Sequence, residues 1–237
     1  MSLQTPMIDQ WQAADDGFDL VAVDLYRDIH KGIRSELFSL TETAGSVDPG
    51  NRDDRLALAD HVVATRSVLE SHAHHEDAVV QPVLERELPS IAERIEVDHE
   101  RLERTFARIV DFATADDADR AARRTCQLLH LDLARFTSEY LLHIDIEERV
   151  LMPALAQRIG VGAVIDLHTA IVGSIAPDEM ARSLAFMLPA MNTDDRVELL
   201  GGMQAEAPPG VFGGVVNLAR SVLRPDQFQV LASRLGV

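Results

Sequence analysis

Aromatic residues make up only 5% of this 237-residue chain, and its single cysteine, Cys126, leaves no internal disulfide to form. A disulfide-built secreted scaffold is thereby excluded, and a reducing, cytoplasmic compartment is the expectation. Lysine is nearly absent, with Lys31 alone, and 39 acidic residues against 22 basic ones give a net charge of −17. A surface of that sign repels nucleic-acid phosphates and anionic membranes, so neither partner is expected. No uncharged run approaches the ~20 residues that cross a bilayer, and the start lacks a signal-peptide pattern. What remains is 46% hydrophobic residues in a sequence rich in helix formers, enough for a substantial core.

No stretch alternates convincingly with the period of a strand, so the fold class is all-α. Four long helical segments are expected, over about 17–43, 53–87, 90–114 and 118–158. Gly45 to Gly50, Leu88-Pro89 and Thr114 to Asp117 break them, and Gly160-Val161-Gly162 ends the fourth. Ser90 and Glu93 fit a capping box at the start of the third. Beyond Gly160 the sequence reads as four or five short helices, several opened by Pro or by Thr-Asp-Asp. The organisation expected is therefore a bundle over 1–159 and a small all-α region over 160–237.

Two segments repeat one pattern at an offset of 71 residues. His72-(x)3-Glu76-Asp77 leads to Pro82, and His143-(x)3-Glu147-Glu148 leads to Pro153. A lone His precedes each copy, His30 and His99. All six residues fall on apolar seams spaced by alternating three and four residues. Those seams are Val23-Tyr26-His30-Ile33-Leu37-Leu40, Val62-Thr65-Leu69-His72-Glu76-Val79-Val83, Ala92-Ile95-His99-Leu102-Phe106-Ile109 and Leu133-Phe136-Tyr140-His143-Glu147-Val150-Ala154.

A buried carboxylate without a partner costs several kcal/mol, and two would threaten a domain stable by ~5–15 kcal/mol. Bound cations resolve that conflict. A spacing of four places His and Glu one turn apart on one face, so two such pairs and two further imidazoles converge on a small volume. Glu76 and Glu147 could then bridge two metals, with imidazoles in terminal positions. The single copy of HxxxE is usually a solvated pair; the duplication and the seam placement carry the metal reading.

The order H…HxxxE…H…HxxxE, with Pro after each acidic pair, resembles the hemerythrin or HHE cation-binding family over about 17–158. The resemblance implies an up-down four-helix bundle and two iron ions, oxo- or hydroxo-bridged, with zinc or manganese as substitutes. It implies that Glu76 and Glu147 bridge, that His30 and His72 serve one iron, and that His99 and His143 serve the other. A ferritin-like site would instead need lone Glu ligands and ExxH pairs. Oxygen-carrying hemerythrins have a further His where Glu103 stands here, so Glu103 is either a seventh ligand or a solvent-facing residue. The functions implied are handling of a small diatomic or peroxide ligand by an enzyme, sensing of oxygen, redox state or iron, or iron storage. Tyr26 and Tyr140 are candidates for hydrogen bonds around the ligands, whereas His61, His74, His75, His130 and His168 lack a matching context. Counting residues from each turn makes the fourth segment longer than its site requires. Its start, about 118–128, is expected to overhang or bend, with 160–237 docked there or forming a dimer interface.

Overall fold

The computed structural model describes residues 21–115, 118–207 and 210–237, and those residues form helices and no strands. Helix α1 (Arg27–Ser46) is followed by α2 (Arg52–His75), which passes through a π turn (Glu76–Val80) into α3 (Gln81–Glu87). Helix α4 (Pro89–Ala113) comes next, then α5 (Ala118–Ile146), a second π turn (Glu147–Leu151) and α6 (Met152–Ser174). Four shorter helices close the chain: α7 (Pro177–Ala190), α8 (Thr193–Glu206), α9 (Val211–Val222) and α10 (Pro225–Leu235).

Helix α1 packs on α2 and α5, and α4 packs on the same two, so the long helices enclose a common interior. Two apolar clusters fill it. Leu37, Leu40, Leu58, Val62, Leu102, Phe106, Leu133 and Phe136 lie in one. Tyr26, Val80, Leu84, Ile95, Leu151 and Leu155 lie in the other. A third cluster belongs to the C-terminal helices alone, around Leu184, Leu188, Leu200 and Leu231.

Several expectations need correction. Helix α1 starts at Arg27, where the Asp24 carboxylate accepts from the Tyr26 and Arg27 backbone N–H groups; 17–20 lie outside the described residues. The Ser90 capping box does not form, because Pro89 already occupies the first turn and moves the cap back to Leu88. The seams hold as far as each Glu and then slip. Val80 and Leu84 are buried in place of Val79 and Val83, and Leu151 and Leu155 in place of Val150 and Ala154. The π turns are the cause: Gln81 N–H bonds Glu76 O and Met152 N–H bonds Glu147 O, so each turn holds one extra residue. Pro82 and Pro153 explain their place, since each lacks an N–H and its ring would press on the carbonyl four residues back. The widened turn before them relieves that clash.

The start of α5 lies at the end of the bundle away from the histidines: Cys126 sits beside Arg55, whose guanidinium donates to Pro49 O in the α1–α2 connection. The side chains of 118–121 lie outside the described set. The C-terminal region does not dock there. It packs along α1, where a Cβ on Gly32 would come within 2.4 Å of the Phe186 ring. Lys31 pairs with the buried Asp195, and Arg27 Nη2 lies 3.2 Å from Glu198 Oε2. Gly160, at φ +80°, kinks α6 at the position expected to end the fourth segment. One part of the run Ala122–Ser174 is long and apolar enough to cross a membrane by length and composition, an exception to the expected absence of such a stretch. Its exposed residues include Val161, Ile165 and Val172.

Candidate metal centre

The six seam residues singled out by the repeat meet in one place. His30 comes from α1, His72 from the last turn of α2, His99 from α4 and His143 from the last turn of α5. Glu76 and Glu147 are the first residues of the two π turns, so the extra residue in each helix begins at a candidate ligand. π turns recur at functional sites because they re-aim one side chain without ending the helix.

Two donor sets emerge, each with its ligand atoms within 4.8 Å of one another: His30, His72, Glu76 and Glu147, and His99, His143 and Glu147. His30 Nε2 and His72 Nε2 are 3.1 Å apart, and the His99 and His143 ring centroids are separated by 4.9 Å. Glu76 lies 3.2 Å from His72 and 3.3 Å from His99, so it reaches both sides. Glu147 does the same, at 3.4 Å from His30 and 3.3 Å from His143.

Yet the set is unsatisfied by itself. Among the described residues, both carboxylate oxygens of Glu76, both of Glu147 and both ring nitrogens of His143 are buried without a hydrogen-bond partner. Each such atom costs ~1–3 kcal/mol, more when charged, so six together need a partner the described residues do not supply. A cation fits this need, since oxygen and imidazole nitrogen are suitable donors for iron, zinc or manganese.

The protonation states describe the same conflict. Burial pulls the His72 imidazolium down to about 4 and that of His143 to about 3, leaving both rings neutral and able to donate a lone pair. Burial also opposes charge on His99, but its hydrogen bond to Asp77 and the nearby Glu147 and Glu76 carboxylates outweigh it and push its pKa up to about 12. Glu76 is held down to about 2, because His72 and His99 overcome the cost of its burial. Burial and the neighbouring Glu76 charge push Glu147 up to about 7. One carboxyl ionises readily and the second resists, as two acids in one dry site must.

A further layer was not anticipated from the sequence. The acidic residue after each Glu grips the lone His of another helix: His99 Nδ1 lies 2.9 Å from Asp77 Oδ1, and His30 Nδ1 lies 3.0 Å from Glu148 Oε1. With Nδ1–H donating to the carboxylate, Nε2 is turned towards the shared volume in both cases. Arg34 adds a two-pronged contact to Glu148 at 2.7 and 2.9 Å. His30 and Arg34 hold the Glu148 carboxyl down to about 2 against its burial. The repeat itself carried this signal, since the acidic residue is duplicated with the Glu.

Tyr26 and Tyr140 flank the cluster, with ring centroids 5.3 Å from His30 and 5.7 Å from His143. Burial and the charges of Glu76 and Glu147 raise both phenols, which stay protonated. Glu103 is not brought into either donor set; it is exposed on α4, one turn beyond His99 on the outer side. His61 pairs with Glu36 at 2.9 Å, and His130 approaches Thr41 O at 3.3 Å. His168 and His74 are exposed. His75 points to the C-terminal region, 2.9 Å from both Glu179 Oε1 and Ser174 Oγ.

Comparison with known proteins agrees with the residues. No curated protein and no solved structure matched the chain. The model of the hemerythrin HHE cation-binding domain matches residues 21–155, which span α1 to the start of α6 and contain all six clustered side chains. With more than half of its length covered and the paired His and Glu residues in the matched part, the chain belongs to the hemerythrin HHE cation-binding domain family.

Proposed function

We propose that the chain holds a pair of iron ions in this cluster and uses them to bind or process a small oxidant such as O2, hydrogen peroxide or nitric oxide. His30 and His72 would hold one ion and His99 and His143 the other, with Glu76 and Glu147 shared between them. The observation that carries this reading is the set of buried carboxylate oxygens of Glu76 and Glu147 left without hydrogen-bond partners among the described residues. The packing of α1, α2, α4 and α5, with short connections between successive helices, supports an up-down order of the bundle. The separate apolar cluster of α7 to α10 supports a unit of its own only from about Pro177, since Val164 on α6 still packs with Tyr26 and Leu155 of the bundle.

Iron, once bound, would supply the electrons that reduction of an oxidant requires, and the protein's share would be placement. Asp77 and Glu148 hold the His99 and His30 rings in the orientation that turns Nε2 inward. Tyr26 and Tyr140, kept protonated, place two hydroxyl-bearing rings beside the cluster. The apolar residues above and below exclude bulk water. Metal analysis with an absorption spectrum before and after addition of O2, peroxide or nitric oxide tests the reading. A ferric charge-transfer spectrum that changes on addition is expected; iron-loaded protein inert to all three oxidants overturns it.

A sensing role is the second reading, favoured by contacts between the C-terminal region and residues beside the ligands. His75 adjoins Glu76 and is held by Glu179 and Ser174, and Gly32, two residues after His30, bears on Phe186. A protease-digestion pattern that differs between reduced and oxidised protein would favour it over turnover alone.

A further inference from the structure

Between α2, α4 and α5 lies a cavity of about 270 Å³. Its floor is apolar, formed by Leu69, Leu102, Phe106 and Phe136, all buried members of the main core. His99 and Tyr140 also line it, and both contact the centre: His99 directly, and Tyr140 through the His143 ring. A diatomic molecule needs only a fraction of this space, whereas an apolar cavity of about 150 Å³ holds benzene. We propose that the cavity binds a small organic molecule with an apolar body and a neutral or cationic head. The binding stands on the cavity alone; its consequence for the centre rests on the metal reading above.

Charge at the mouth sets the head group. Arg66 Nε bonds Glu70 Oε1 at 2.6 Å, and Asp77 bonds His99 at 2.9 Å, so these groups have partners within the wall. Glu103 also lines the cavity, is exposed and forms no ion pair among the described residues. The uncompensated charge at the opening is therefore negative. It attracts an ammonium, accepts from a hydroxyl and repels a carboxylate. The aromatic and leucine floor takes the body, as ligand pockets commonly pair an apolar wall with a few polar groups.

Three probes sharing one body separate these contributions: benzylamine, benzyl alcohol and benzoate, titrated into the full chain stripped of metal and followed by NMR shifts. Saturable binding of benzylamine and benzyl alcohol is expected, with benzylamine about tenfold tighter than benzoate. Shifts should map to Leu69, Leu102 and Phe136. Glu103→Lys, at an exposed position that does not threaten folding, should reverse the order of benzylamine and benzoate. Leu69→Phe should fill the cavity and weaken all three. Absence of saturable binding, an unchanged order in Glu103→Lys, or shifts mapping elsewhere would overturn the proposal. Because the titration uses metal-free protein, its failure leaves the metal reading standing. Probe binding by a chain that takes up no cation overturns the metal reading alone.

Discussion

Glu147→Gln should stabilise the metal-free protein while lowering its capacity for cations. The carboxyl is 1% exposed, lies beside Glu76 and has no hydrogen-bond partner among the described residues. Burial and Glu76 move its pKa from 4.5 to about 7 in the folded chain. Because the folded value is raised, no cost falls on the fold below the unfolded value, where both states are protonated. Stability is then lost as pH rises from about 4.5 through 7 and levels off above it. The displacement corresponds to about 3 kcal/mol at its full extent. The neutral amide escapes that cost. In urea unfolding of chelator-treated protein, the difference between Glu147→Gln and wild type should therefore move in the variant's favour by about 3 kcal/mol between pH 4.5 and pH 9. With metal present the order should reverse. A difference that stays constant over this pH range would refute the assignment of Glu147 as a buried charge awaiting a cation.

Three further outcomes follow from the geometry. Glu148→Ala frees the His30 ring and should lower cation affinity ~10–100-fold, measured by competition with a chelator, while stoichiometry at excess metal is kept. Gly32→Ala should destabilise the chain by about 1–2 kcal/mol in thermal unfolding, because the new methyl meets Phe186 and the Met187 backbone; Phe186→Leu should recover part of the loss. Glu103→Ala should leave cation uptake unchanged, since Glu103 lies outside both donor sets, whereas His143→Ala should reduce it.

The interior up to the His–Glu cluster was legible because burial of polar residues leaves a trace in helical period. His30, His72, Glu76, His99, His143 and Glu147 interrupt seams of Leu, Ile, Val and Phe, and only residues on the same faces can converge. Heptad counting assumes an unbroken α-helix, however, and the π turns violate that after each Glu. Val79, Val83, Val150 and Ala154 look equivalent to Val80, Leu84, Leu151 and Leu155 in composition, so sequence pattern alone could not reveal the slip. The repeated Pro six residues after each Glu was its only local sign. The repeat marked Asp77 and Glu148, but which His each grips depends on the rotation of one helix against another, which no single-helix pattern encodes. The docking of α7 and α8 on α1 is likewise long-range. It rests on Gly32 allowing close approach and on the Lys31–Asp195 pair, features that read as unremarkable in isolation.

Equilibrium metal analysis of the full chain, titrated anaerobically with ferrous iron, tests the central claim most directly. Two ions per chain are expected, falling below two in both His143→Ala and Glu147→Gln. A wild-type chain that binds no iron, or one whose uptake is indifferent to both substitutions, would contradict a centre built from these six residues.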